Sequence, residues 1–95
     1  MENGLADSSR ISVYVSDTNN VLSRLLQVFG KSRFEVTYMQ VFDTEDENLK
    51  LIVLEASFPK EMLNLILERI EKIVEVHRAF PQQDEAQNLA AVRNA

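Results

Sequence analysis

Ile11, Val13 and Val15 alternate with Ser12, Tyr14 and Ser16, a period of two that predicts a half-buried strand. The polar run Asp17-Thr18-Asn19-Asn20 follows, a turn whose side chains suit a helix start. Leu22, Leu25, Leu26 and Phe29 then recur at helical spacing, which predicts an amphipathic helix buried along that stripe and stopped by Gly30. Alternation resumes at Phe34, Val36 and Tyr38. Phe34 to Phe42 and Leu49 to Ala56 read as two strands. The charged segment Asp43-Thr44-Glu45-Asp46-Glu47-Asn48 between them reads as an exposed hairpin loop.

Pro59 fits the first turn of a second helix. Met62, Leu63, Ile66, Leu67 and Ile70 form its apolar stripe, and Glu61, Glu68, Arg69 and Lys72 mostly fall outside it. Ile73, Val74, Val76 and Phe80 predict a last strand, with Glu75, His77 and Arg78 interleaved. The order is βαββαβ. It implies an α+β, ferredoxin-like two-layer sandwich: a four-stranded antiparallel sheet with both helices on one face. The expected organisation is a disordered arm over residues 1–9, the domain over 10–80, and a polar tail over 81–95. Within the tail, Gln87 to Ala95 reads as a frayed or partner-dependent helix.

In this topology the second strand lies at a sheet edge, carrying Phe34, Val36, Tyr38, Met39, Val41 and Phe42. A long apolar edge invites pairing with another chain. A homodimer is therefore expected, with the edge strand and first helix at its interface.

Composition narrows the function. An apolar fraction of 45% is that of a globular domain, and a net charge of −5 argues against nucleic acid. The absence of cysteine removes disulfides and thiolate metal sites. Met1 to Ser9 has neither the basic nor the apolar part of a signal peptide, and no apolar run approaches a membrane span. A cytoplasmic domain is the resulting expectation.

Catalytic chemistry is hard to find. His77, the single histidine, lacks the partners of a nucleophilic triad or a histidine metal site and reads as a solvent-facing strand residue. The acidic loop Asp43, Glu45, Asp46 and Glu47 lacks the glycine and the terminal glutamate of a calcium loop, so it reads as a solvated hairpin tip. With only Gly4 and Gly30, the chain has no glycine-rich phosphate cradle. RNA-binding sheets of this topology stack bases on aromatics of their central strands, yet Leu49 to Ala56 contains none and Tyr14 alone is no platform. The reading is a domain that is not an enzyme, holds no metal or cofactor, and acts by binding.

The run Arg10-Ile11-Ser12-Val13-Tyr14-Val15-Ser16-Asp17 and the helix Val21-Leu22-Ser23-Arg24-Leu25-Leu26-Gln27-Val28-Phe29 together resemble the opening of an ACT domain. More narrowly they resemble the small regulatory subunits of acetohydroxyacid (acetolactate) synthase. Ser32-Arg33-Phe34-Glu35-Val36 loosely matches that family's entry into the second strand, and Lys72-Ile73-Val74-Glu75-Val76 matches its C-terminal run. The resemblance covers about residues 10 to 80. It implies a non-catalytic regulatory subunit in branched-chain amino acid biosynthesis. Such a subunit activates a thiamine-diphosphate-dependent catalytic subunit and often transmits feedback inhibition by valine. It further implies an effector site at the ACT dimer interface. Carried over residue by residue, Asp17, Asn20 and Val21 of one chain would meet Glu35 and Val36 of the other.

The departures from the family pattern also carry an expectation. Asn20 stands in place of the turn glycine, where backbone must approach the effector closely. Glu35 replaces an asparagine, and Asp17 another amide. A carboxylate about 4 Å from the effector's own would cost about 4 kcal/mol at an effective dielectric near 20. That is enough to abolish micromolar to millimolar binding. The expectation is a degenerate site and weak or absent valine sensing. The alternative is a freestanding sensor of another amino acid, whose ammonium group Glu35 or Asp17 would accept.

Overall fold

The computed structural model describes residues 7–82, and the elements follow the expected order. They are β1 (Asp7–Val15), α1 (Val21–Gly30), β2 (Glu35–Asp43), β3 (Lys50–Phe58), a 3-10 turn (Lys60–Met62), α2 (Leu63–Glu71) and β4 (Val76–Pro81). The sheet order is β2-β3-β1-β4, with every neighbouring pair antiparallel. This is the ferredoxin-like sandwich, with β2 on one edge and β4 on the other. Since β1 starts at Asp7, the last residues of the expected N-terminal arm are strand. The rest of that arm and the tail beyond Gln82 lie outside the described residues.

The pleat sorts the sheet into two faces. Register pairs Ile11 with Leu54 and Val13 with Ile52, and all four side chains are fully buried against the helices. The helices answer with Val21, Leu25 and Phe29 from α1 and Ile66 and Ile70 from α2. Phe58 anchors one end of this core, its ring 6.1 Å from Phe29 and 6.0 Å from Phe34. Burying each such side chain stabilises the fold by about 1.5–3 kcal/mol.

Three details depart from the sequence reading. The buried stripe of α1 is Val21, Leu25 and Phe29, whereas Leu26 is 48% exposed. α1 ends at Gly30 as expected, but that glycine is not itself the left-handed stop. Lys31 keeps helical dihedrals, and the chain turns at Arg33, whose φ of 62° is left-handed. Phe34 N–H donates to Phe29 O at 2.9 Å and Arg33 N–H to Gly30 O at 3.0 Å, the pair of bonds that makes a Schellman end. Gly30 is therefore an ordinary helical residue, and an arginine occupies the position that glycine usually takes. Finally, β4 begins at Val76. Ile73 packs on the core from the preceding turn, and Val74 is 87% exposed.

Both edges are bulged. Register slips between Val36 and Tyr38 on β2 and opposite Tyr14/Val15 of β1 on β4, so that Thr37 and His77 are extra residues. After Thr37 the parity of β2 changes: Val36 and Met39 both face the helices, and Tyr38, Gln40 and Phe42 pair with the open-face row Glu55, Val53 and Leu51. Pro59, extended at φ −64°, caps the 3-10 turn that leads into α2.

Candidate functional site

The turn Asp17–Asn20 leaves the C-terminal end of β1 and is fastened to the α2–β4 turn. Ser16 N–H donates to Glu75 O at 2.9 Å, and Arg24 Nη1 lies 3.3 Å from Glu75 Oε1. Within the turn, Asp17 is already engaged: its Oδ1 accepts Asn19 N–H at 3.0 Å, a local Asx turn. Asn20 is the N-cap of α1, but its side chain makes no cap bond. Its carbonyl accepts Arg24 N–H at 3.3 Å and Ser23 Oγ–H at 3.2 Å. The next residue, Val21, is fully buried and offers no accessible surface to a ligand in a single copy.

The strand half of the expected site is split by the pleat. Glu35 is exposed and pairs with Ser57 at one end of the sheet. Val36 faces the other way and packs, half-buried, on the core. In one chain the two halves lie far apart. Val15, which leads into the turn, is level with Lys50, and Glu35 is level with Ser57. Those β3 positions differ by seven residues (57 minus 50), about 23 Å of strand at about 3.3 Å per residue. A single copy does not assemble these five residues.

The side of the sheet away from the helices is mixed. Tyr14 and Phe80 lie 5.9 Å apart, the Arg78 guanidinium sits 5.7 Å over Phe80, and Arg10 lies 5.2 Å over Tyr38. Arg10 pairs in register with Glu55, whose carboxylate accepts Ser8 Oγ–H at 3.0 Å. In the sequence Tyr14 stands alone, because Phe80 and Tyr38 join this face only through β-sheet register. At the hairpin tip, Asp46 Oδ1 accepts Asn48 N–H and Thr44 Oγ1 accepts Asp46 N–H, so these groups serve the loop's own backbone. Beside it, the Lys50 ammonium bonds Asp43 and holds that carboxyl below its ordinary range. His77 is exposed at the β4 bulge.

Exposed apolar side chains add a further feature. Among the described residues they are Leu26, Val41, Phe42, Leu65 and Val74, and three of the five belong to α1 and β2. No helix of the described residues is long and apolar enough to cross a membrane.

Solved structures of known proteins share this fold. The acetolactate synthase small subunit of Thermotoga maritima superposes with a TM-score of 0.72 at 18% identity, over 85% of this chain and 50% of that one. The present chain thus spans about half the length of that subunit. The ACT domain of GTP pyrophosphokinase from Chlorobium tepidum gives 0.64 at 13% identity, over 81% of this chain and 99% of that one. The regulatory subunit of aspartate kinase from Thermus thermophilus gives 0.60 at 15% identity, over 83% and 52%. A search of curated protein sequences returned no match. The family model of the ACT domain matches residues 17–79, from the β1–α1 turn into β4 and well over half of the chain. With that match on a βαββαβ sandwich of this strand order, the chain belongs to the ACT domain family.

Proposed function

We propose that this chain is a non-catalytic regulatory subunit that pairs with a second copy through β2 and α1 and acts on the catalytic subunit of an acetolactate synthase. The observation that carries the pairing is the concentration of exposed apolar side chains, Leu26, Val41 and Phe42, on α1 and the unpaired edge of β2. Antiparallel pairing of β2 with its copy would bring the copy's Glu35 to the Asp43 end of this strand. That is the end at which β1 delivers the Asp17–Asn20 turn, since Asp43, Lys50 and Val15 are level across the sheet. The two halves of the candidate effector site would then meet across the interface. The choice of catalytic partner is supported by the resemblance in the first and last segments of the domain and by the fold shared with the Thermotoga maritima subunit.

Valine sensing is expected to be weak or absent. Asp17 is engaged with its own turn, Asn20 adds a side chain beside the helix N-terminus, and Glu35 would bring a carboxylate near that of the effector. The test is acetolactate formation by the catalytic subunit of the same organism, with and without this chain, across a valine titration. Stimulation that valine does not reverse supports the proposal. Stimulation that valine reverses refutes the degenerate site, and no stimulation refutes the partner. A thermal-shift screen of the twenty amino acids addresses the alternative sensor: one ligand giving a clear upward shift would favour it.

A further inference from the structure

An open groove of about 580 Å³ runs between α1 and α2, with Arg24, Lys31, Arg69 and Lys72 along its walls and Val28 and Ile73 among its apolar lining. The chain is acidic overall, with 10 Lys and Arg against 15 Asp and Glu, yet four of those ten cations line this one groove. Of the four, Arg24 alone is in an ion pair with a carboxylate of the described residues. Arg24 pairs with Glu75, but among the described residues Arg69 Nη1 donates only to the neutral Ser32 hydroxyl at 3.5 Å. No carboxylate of the described residues forms an ion pair with Lys31, Arg69 or Lys72. Glu71, which could have neutralised this end of α2, instead accepts Ala79 N–H from β4 at 2.9 Å.

A solvated surface ordinarily intersperses both signs of charge. Lys31 and Lys72 sit at the C-terminal ends of α1 and α2, where the helix dipole favours cations. The dipole accounts for each of them alone. It does not account for their convergence with Arg24 and Arg69 around an apolar lining. From this convergence we infer that the groove is a binding site for a small organic phosphate or diphosphate.

The chemistry suits that class. Guanidinium and ammonium groups recognise phosphate oxygens by charge-assisted hydrogen bonds. Val28 and Ile73 offer an apolar surface for the organic part, and the volume falls in the range of small-molecule pockets. Arg24 and Lys31 are seven positions apart on α1 (31 minus 24), about 10 Å at about 1.5 Å rise, which a diphosphate with a short substituent can bridge. None of the five candidate effector residues lines the groove, so this site and the proposed effector cleft stand or fall separately.

The test is a titration of the full chain with sodium pyrophosphate, followed by amide chemical shifts and calorimetry at low ionic strength, with sodium chloride as the control. Saturable binding is expected, with the largest shifts at Lys31, Ser32, Lys72 and Ile73. The double variant Lys31→Gln/Lys72→Gln should weaken it at least about tenfold, equivalent to about 1.4 kcal/mol. Its melt should stay cooperative, with at most the small loss expected from two exposed helix-end charges. A Lys50→Gln variant, altered at the far hairpin, should bind as the parent does. Shifts spread over every cation, or equal losses in both variants, would overturn the site. A hexaglutamate peptide that binds where pyrophosphate does not would overturn the ligand class.

Discussion

The end of α1 allows a test in which two readings predict opposite signs. Gly30 has no left-handed φ, and a Cβ built on it meets nothing within 4 Å. Gly30→Ala should therefore gain helix propensity, up to about 0.8–1 kcal/mol and less at a last turn. Arg33 holds φ 62°, a conformation that costs an L-residue about 1–2 kcal/mol. Arg33→Gly relieves that cost but adds unfolded-state entropy of about 0.4–1 kcal/mol, leaving a net gain of about 0.5–1 kcal/mol. The two positions share one Schellman hydrogen bond, so the double variant should gain about 1–1.5 kcal/mol rather than a strict sum. For a domain of this size that raises Tm by about 4–12 °C. The assay is a thermal melt by circular dichroism at fixed protein concentration, since the proposed self-association would make Tm depend on concentration. If Gly30 were instead the left-handed stop that its place in the sequence suggests, Gly30→Ala would lower Tm. A fall in Tm for either single variant refutes the turn at Arg33.

Three further outcomes are expected. Leu25→Ala, at a fully buried site, should cost about 2–5 kcal/mol in urea unfolding, whereas Leu26→Asp should keep a cooperative melt and shift the protein to monomer in light scattering. A dimer that survives Leu26→Asp would count against the proposed interface. The Lys50 hydrogen bond and charge lower the pKa of Asp43 from 3.8, so its contribution to stability is present above that value and fades as pH falls through the lower, folded one. A side-chain NMR titration should therefore show Asp43 rising towards 3.8 in Lys50→Gln, and no rise would refute the pairing. Reverting Asn20→Gly together with Glu35→Asn should restore measurable heat with valine in calorimetry. A silent titration would count against the mapping of those two positions.

Local pattern and tertiary structure divided the determination of this protein along physical lines. Alternation at Ile11, Val13 and Val15 and the stripe from Met62 to Ile70 follow from side-chain period alone, so the order βαββαβ and the edge position of β2 were legible in the chain. Leu22, Leu25 and Leu26 are almost equivalent to a pattern, and only the angle at which α1 meets the sheet buries Leu25 while leaving Leu26 exposed. α1 does end at Gly30, but the left-handed turn falls at Arg33, where no local glycine marks it, and the next residue, Phe34, packs its ring 6.0 Å from Phe58. The bulges at Thr37 and His77 depend on pairing partners distant in sequence, so no local window contains them. Resemblance alone points to the candidate effector residues, but that Val21 and Val36 face the core and that Asp17 serves its own turn is decided by packing. The basic groove joins Arg24 and Lys31 to Arg69 and Lys72 across an intervening hairpin. Local residue types set which elements form, and long-range contact alone sets which charges become neighbours, since that depends on how those elements pack.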